Sequence, residues 1–283
     1  MTVLRSSRRW RFRAPYMVSL STVVLIAVAV GGMAAPWLAP HDPAAQLDLV
    51  RLKNASPSFA HLLGTDPFSR DVLSRALYGA RTSLAVGLLG ALLAAAIATV
   101  WGTAAGLCRD TVGRRLMSVV DVIRAIPHKV IVLAVMLLVR HPTALVLALL
   151  LGSTSWTNMS RVIFVQVRSL RSREFVTSAR ALGASPVRVM TRHVAPHLSG
   201  TLGASSAMLV ADMLAAEAGL SFLGLGVRPP QSSWGTMLQD GVPYLASAWW
   251  VAATPCVLLV VTVLSIARMA DTMQDNRLGV RRD

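Results

Sequence analysis

The feature that most constrains this chain is a series of long stretches without Asp, Glu, Lys or Arg. A helix needs about 20 mainly apolar residues to cross the hydrocarbon core of a bilayer. Four charge-free stretches reach this length, at residues 14–40, 82–108, 141–160 and 241–267. The whole chain is 54% hydrophobic and only 14% charged, whereas soluble domains contain about 25% charged residues. The sequence therefore predicts an integral membrane protein.

Two further apolar stretches, residues 117–139 and 198–227, contain a few charged residues. These are Asp121, Arg124, Lys129, Asp212 and Glu217. Counting both stretches, we predict an all-α protein with six transmembrane helices. The first span follows a basic segment, as in a signal peptide. Its apolar part, residues 17–35, is longer than the roughly 7 to 15 residues of a signal-peptide core, which favours an uncleaved anchor.

The distribution of basic residues predicts the orientation of these spans. With six spans, one side of the membrane receives 19 Lys and Arg residues and the other receives 7. Cytoplasmic loops carry the excess of positive charge, so both termini are predicted to be cytoplasmic. The predicted regions are a cytoplasmic tail (1–15), a first span (16–39), an external segment (40–81), a transmembrane domain (82–275) and a second cytoplasmic tail (276–283).

The external segment contains a predicted amphipathic helix. Asp66 is a candidate N-cap, with Pro67 at the first helical position. The apolar stripe that follows consists of Val72, Leu73, Ala76 and Leu77. This pattern is typical of a helix that lies on the membrane surface or packs against the spans, although a simple connector is an equally open interpretation.

The cytoplasmic segment 161–197 predicts two short helices joined by a tight corner. The first helix carries Phe175, Ala179 and Leu182 at helical spacing, and it ends at Gly183, a residue suited to a left-handed cap. Ser185 then caps a second helix that is predicted to end at Pro196. The apolar face of this second helix is formed by Val187, Met190 and Val194.

Three interpretations of this corner are open. A DNA-binding helix-turn-helix has a similar turn, but the flanking spans would press the duplex against the bilayer, so no nucleic acid partner is expected. A solvated basic loop that serves only topology is the second interpretation. The third is a docking element that transmits the motion of a cytoplasmic partner.

The charged residues within the spans are candidates for function, because such residues usually face a bundle interior or a cavity. Asp121 and Arg124 are three residues apart and are predicted to pair near the cytoplasmic interface. Asp212 lies deeper and has no obvious partner on its own helix. It is a candidate for the lining of a pathway, with a buried hydrogen bond as the alternative.

Sequence motifs for cofactors and metals are missing. There is no phosphate-binding glycine-rich loop, and neither Lys53 nor Lys129 follows a glycine. Cys108 and Cys256 stand alone in apolar stretches. The six histidines give no ligand pair on one apolar helix, and the predicted helix end at Pro196 separates His193 from His197. We therefore expect no cofactor, no metal site and no enzymatic activity.

Three motifs resemble one protein family. They are residues 174–185 (EFVTSARALGAS) with 193–196 (HVAP), residues 63–81 (LGTD, RDVLSR and YGAR), and residues 217–235 (EAGLSFLGLGV, PP and SWG). Their order and topology are similar to those of permease subunits of ABC importers. The resemblance is strongest to the second, C-type permease of the dipeptide, oligopeptide and nickel branch.

The resemblance implies a type I ABC importer permease fold in a bacterial plasma membrane. The first motif looks like the family's EAA loop, which docks in a groove of the ATPase subunit, although Thr177-Ser178-Ala179 stand where Glu-Ala-Ala is usual. By this resemblance, the ATPase-coupling residues are Phe175, Thr177, Ala179, Leu182, Gly183, Val187 and Met190. Candidate residues of the translocation path are Asp212, Glu217, Ser221 and Phe222.

The family also implies partners and a substrate class. The partners are a second permease subunit, two ATPase subunits and an extracytoplasmic solute-binding protein, and the substrate is a peptide or a related small solute. Nickel or heme remain open as substrates within the same architecture. An ion-coupled secondary carrier is the rival class, but the two halves of the chain show none of the internal similarity that such carriers have.

Overall fold

The regular structure of this chain is helical throughout the part that the computed structural model describes, which is residues 14–139, 142–185 and 188–275. One isolated β-bridge joins Thr65 to Asp71. The α-helices are α1 (Ala14–Met33), α2 (Ala35–Leu38), α3 (Val72–Leu107), α4 (Asp110–Ala125), α5 (His128–Leu138), α6 (Ala144–Thr154), α7 (Thr157–Arg171), α8 (Glu174–Ala181), α9 (Ala195–Phe222), α10 (Trp234–Gly241) and α11 (Trp249–Asp275).

Three continuous helical segments are long and apolar enough to cross a membrane. These are Val72–Leu107, Val189–Phe222 and Trp249–Gln274. The other predicted spans contain shorter apolar helices, Leu20–Met33, His128–Leu138 and Ala144–Thr154. The all-α class with candidate membrane spans is thus confirmed, and the count of six spans stays a prediction.

Helix α3 lies at the centre of the molecule because small residues line it. Its buried positions include Gly87, Gly90, Ala94, Ala98 and Gly102, and small residues let neighbouring helix backbones approach closely. Gly90, for example, lies against the backbone of α6, since a Cβ there would be 3.2 Å from the carbonyl oxygen of Ala148. Helices α6, α7 and α9 pack around α3 in this way, and the main apolar core lies between them.

The helix predicted to follow Asp66 starts later, at Val72, and is continuous with the next predicted span. Ser69 has a φ of +58°, so the chain turns sharply after Asp66 instead of entering a helix. The helix starts after Asp71, whose side chain accepts a hydrogen bond from the Ser74 amide at 2.8 Å. From there α3 continues without a break through the predicted boundary at residue 82.

The third predicted span is broken in the middle. Helix α4 ends at Ala125, and Ile126 adopts an extended ψ of 122° before Pro127. A residue that precedes proline is driven out of the helical region by the proline ring. The two apolar halves, α4 and α5, are therefore separate helices.

Pro196 does not end the second helix of the corner, contrary to our prediction. Residues Val189–Val194 form a π-helical turn that leads directly into α9, in which Pro196 lies in the first turn. The Ala195 amide donates to the carbonyl of Met190, five residues back. Pro196 has no amide proton and cannot donate a helical hydrogen bond. The wider turn before it accommodates the proline, and the helix continues past it.

Candidate functional site

The corner after α8 has the predicted left-handed turn. Gly183 has a φ of +81°, and the Ala184 amide donates to the Ala179 carbonyl at 3.0 Å. Together these features form the cap that commonly ends a helix with glycine. The Ser185 hydroxyl then accepts from the Arg188 amide at 3.3 Å, as expected for an N-cap.

Three valines anchor the corner to the main core. Val176, Val189 and Val194 are fully buried there. Val189 and Val194 share a face because the π-helical turn between them has a longer period than an α-helix. The α-helical spacing used for the sequence prediction missed Val189. Met190 is half-buried, whereas Val187 lies outside the described residues.

The outer surface of the corner is apolar and open. Leu182 is 89% exposed and Phe175 is 38% exposed, while Thr177 is exposed and Ala179 is half-buried. The Phe175 ring stacks on His197 with centroids 5.1 Å apart and an interplanar angle of 19°. This contact joins α8 to the first turn of α9.

A buried polar cluster joins α9 to α3 and α10; we call it the anchor cluster (Ser83, Glu217, Ser221, Ser233 and Trp234). Glu217 is fully buried and accepts from the Ser83 hydroxyl at 2.9 Å and from the Ser221 hydroxyl at 2.6 Å. The Trp234 amide donates to the Ser83 hydroxyl at 3.2 Å. Two hydroxyl donors thus satisfy a carboxyl group in the protein interior, and the Trp234 amide holds one of these hydroxyls in place.

The loop between α9 and α10 packs tightly against this cluster. A Cβ at Gly235 would lie 2.6 Å from the Ser221 Cβ and 2.7 Å from the Ala218 carbonyl oxygen. A Cβ at Gly226 would lie 2.5 Å from the Ser221 Cα. Gly226 lies in the loop and Gly235 in the first turn of α10, and the lack of a side chain at both lets these segments pack closely against α9.

An ion network joins the motif at residues 63–81 to α10. Asp66 is fully buried and accepts from Arg70 Nε at 2.6 Å, and it also pairs with Arg75. Asp240 in α10 binds both arginines, at 2.7 Å from Arg70 and 2.9 Å from Arg75. Sequence reasoning missed Asp240, because its partners lie about 170 positions earlier in the chain.

The opposite side of α9 presents an exposed row, which we call the open face. Its members, spaced by three or four residues, are Met208, Asp212, Ala215, Gly219 and Phe222. Such spacing places them on one side of the helix. Two of the predicted path residues, Asp212 and Phe222, thus lie on the surface of the subunit. The other two, Glu217 and Ser221, are buried inside it.

Asp212 lies within electrostatic range of Lys129 and His128 from α5. It is ten residues from the end of α9, which corresponds to about 15 Å along the helix axis. The structure thus places the Asp212 carboxylate and the Lys129 side chain on the surface of the subunit within a predicted membrane region.

Asp121 does not pair with Arg124, contrary to our prediction; it binds Arg161 of α7 instead.

One grouping of possible metal ligands occurs among the described residues. It consists of His41, His61 and Asp71. The sequence gave no indication of it, because thirty residues of irregular chain separate His41 from Asp71. The grouping lies near the start of α3, on the side that the charge distribution predicts to be external.

Comparisons with known proteins agree with this architecture. Residues 98–279 match the family described as "Binding-protein-dependent transport system inner membrane component". The chain is 34% identical over 276 residues to a peptide transport system permease protein of Brucella suis, covering 96% of this chain and 90% of that protein. It is 31% identical to a dipeptide transport system permease protein of Bacillus subtilis, covering 89% and 78%. It is 32% identical to a glutathione transport system permease protein of Escherichia coli, covering 94% and 87%.

Proposed function

Since this chain belongs to the family of inner membrane components of binding-protein-dependent transport systems, we propose that it is a permease subunit of an ABC importer for peptides. In this proposal it forms half of a translocation path, and a second permease subunit forms the other half. Two ATPase subunits bind on the cytoplasmic side, and a solute-binding protein delivers the substrate from outside.

The observation that carries this proposal is the open face of α9. A charged side chain within a membrane span is costly in lipid and is nearly always directed to a bundle interior or a water-filled cavity. Asp212 is exposed on the isolated subunit. A second permease subunit that packs across this face, with an aqueous path between the two subunits, keeps Asp212 away from lipid and lets water hydrate its carboxylate.

The cytoplasmic corner supports the ATP-driven part of the proposal. Leu182 and Phe175 offer an exposed apolar surface, and the left-handed turn at Gly183 gives that surface a defined shape. Closure of the ATPase pair moves the corner, and the stacking of Phe175 on His197 passes the movement to α9. Such rigid movement of paired elements opens the path on alternate sides of the membrane.

The substrate class follows from the relatives. They are named for the transport of peptides, dipeptides, oligopeptides, di- and tripeptides and glutathione. We therefore propose a small peptide as the substrate. Nickel and heme, which the sequence left open, become comparison substrates in the test.

Uptake measurements in the native bacterium test this proposal. Deletion of the gene should abolish uptake of labelled di- or tripeptides, while leaving labelled nickel and heme uptake unchanged. Complementation with the wild-type chain should restore peptide uptake, and Asp212→Ala should not. Asp110→Asn, which alters an exposed carboxylate paired with Arg168, is the matched control and should restore it.

The energy source separates the proposal from an ion-coupled carrier. Peptide uptake should persist when an ionophore collapses the proton gradient but ATP is maintained, and it should stop when ATP is depleted. Uptake that follows the ion gradient instead of ATP would contradict the proposed class.

A further inference from the structure

We propose that His41, His61 and Asp71 form a binding site for a divalent first-row transition metal ion, with Zn²⁺ as the reference ion. The three side chains come from the end of the α2 region, the following irregular segment and the N-cap of α3. Their candidate ligand atoms all lie within 4.8 Å of one another. The inference is independent of the proposed transport function.

The distances suit a zinc ion. Two ligand atoms that each lie 2.0–2.1 Å from a tetrahedral zinc ion are separated by about 3.4 Å. The His61 Nδ1 lies 3.0 Å from Asp71 Oδ1, and the His41 Nδ1 lies 3.9 Å from the same oxygen. These two separations lie on either side of the value for zinc, each within about 0.5 Å of it.

The unsatisfied nitrogen of His41 points to a ligand rather than to a purely structural role. Its Nδ1 is buried and has no hydrogen-bond partner among the described residues. Buried polar atoms are nearly always satisfied by protein, water or an ion. The neighbouring His61 nitrogen already contacts Asp71, and an ion between the three groups satisfies the His41 nitrogen as well.

Asp71 is held in place for this role by its second oxygen. Asp71 Oδ2 accepts from the Ser74 amide and from the Ser74 hydroxyl, both at 2.8 Å, which leaves Oδ1 facing the histidines. Outer contacts that fix a ligand carboxylate are typical of metal sites. The Ser74 hydroxyl also accepts from the His41 amide at 3.1 Å, so it orients two of the three ligands.

An entry route and a fourth coordination position are available. His41 lines a cavity of about 770 Å³, together with Tyr78, Arg81 and Gln231. A water molecule from this cavity completes the tetrahedral set of three protein ligands and one solvent ligand. Coordination through Nδ1 leaves the ring proton of each histidine on Nε2. The bound ion then ties the segment after α2 to the start of α3.

Metal titration of the purified full-length chain tests the site. The protein is prepared in detergent with a tag that contains no histidine, is stripped with a chelator, and is titrated with Zn²⁺ by calorimetry and with Co²⁺ by visible absorption. We expect one Zn²⁺ per chain and the absorption bands of four-coordinate Co²⁺. Zinc should also raise the thermal midpoint, because a ligand that binds only the folded state stabilises it.

Two variants locate the ion. His41→Asn and His61→Asn should each weaken zinc binding by at least about tenfold, which is the loss that changes to outer contacts alone produce in metal sites. Because His41 is half-buried, His41→Asn should have the same thermal midpoint as the wild-type protein when both are metal-free. The test therefore remains valid if His61→Asn folds poorly.

The matched control is His193→Gln combined with His197→Gln, because this pair is the other candidate for histidine chelation. It should leave stoichiometry and affinity unchanged. The proposal is overturned if the wild-type chain shows no saturable zinc binding at tens of micromolar. It is equally overturned if binding survives unchanged in His41→Asn, or if only the control variant loses it.

Discussion

Helix α9 carries two carboxyl groups five residues apart, and their surroundings are opposite. Glu217 is enclosed by the anchor cluster and accepts hydrogen bonds from Ser83 and Ser221. Asp212 lies on the open face, where its charged neighbours come from α5. Glu217 is thus part of the internal packing of the subunit, whereas Asp212 is exposed on the isolated subunit.

The largest expected effect comes from removing the buried carboxyl group. Glu217→Ala removes the acceptor for the hydroxyl protons of Ser83 and Ser221, and a buried polar group without its partner costs about 1–3 kcal/mol. We expect a loss of about 3 kcal/mol in the free energy of unfolding, measured by denaturant titration of the subunit in mixed micelles. Glu217→Gln keeps an acceptor and should lose much less.

Asp212→Ala is the counterpart on the open face. Its free energy of unfolding should stay within about 0.5 kcal/mol of the wild-type value, as for surface substitutions. A loss at Asp212 that equals the loss at Glu217 would remove the distinction between the two carboxyl groups.

A second pair of substitutions compares glycines on the two sides of α9. Gly235→Ala forces a methyl group against the Ala218 backbone and should cost about 1–3 kcal/mol, the usual penalty of overpacking. At Gly219 a Cβ has no neighbour within 4 Å in the described part of the chain, so Gly219→Ala should be neutral or should stabilise the helix by up to about 1 kcal/mol. Thermal unfolding of both variants in detergent measures the difference, and equal destabilisation would contradict the packing described here.

A smaller loss of stability than at Glu217 is expected at the corner. A Cβ at Gly183 meets no described residue within 4 Å, so Gly183→Val introduces backbone strain of about 1–2 kcal/mol without a steric clash among the residues that the structure describes. We expect normal membrane insertion, but weakened co-purification of the ATPase and loss of substrate-stimulated ATP hydrolysis.

Arg115→Ala changes an exposed residue of another predicted cytoplasmic region and is the control for the corner. Full coupling in Gly183→Val together with loss of coupling in Arg115→Ala would mean that the corner is not the transmission element.

The local parts of this structure could be predicted from the sequence. Apolar runs indicated the helices α3, α9 and α11, and the sequence Leu182-Gly183 with Ser185 indicated the corner. Both signals depend on residues that are neighbours in the chain, where hydrophobicity and backbone preference decide the outcome.

Features that depend on distant partners could not be predicted in this way. Asp121 has a possible partner, Arg124, three residues away in the chain, but it binds Arg161 of α7. The packing of α7 against α4, which the local sequence does not show, decides this pairing. Asp66 has the sequence of an N-cap, yet its carboxylate is bound by two arginines and Asp71 caps the helix. Pro196 is a strong sequence signal for the end of a helix, and no comparable signal indicates the π-helical turn that precedes it.

Thiol accessibility at position 212 tests the central claim most directly. Asp212→Cys is placed in a chain with Cys108→Ser and Cys256→Ser and is assembled with its partner permease, ATPase subunits and binding protein. Leu264→Cys, at an exposed apolar position of α11, is the control for a residue that faces lipid. We expect a small charged thiol reagent to modify Cys at position 212, peptide substrate to slow the reaction, and position 264 to react only with a membrane-soluble maleimide. Reaction of position 212 with the membrane-soluble reagent alone, at the rate of position 264, would contradict a pathway along the open face of α9.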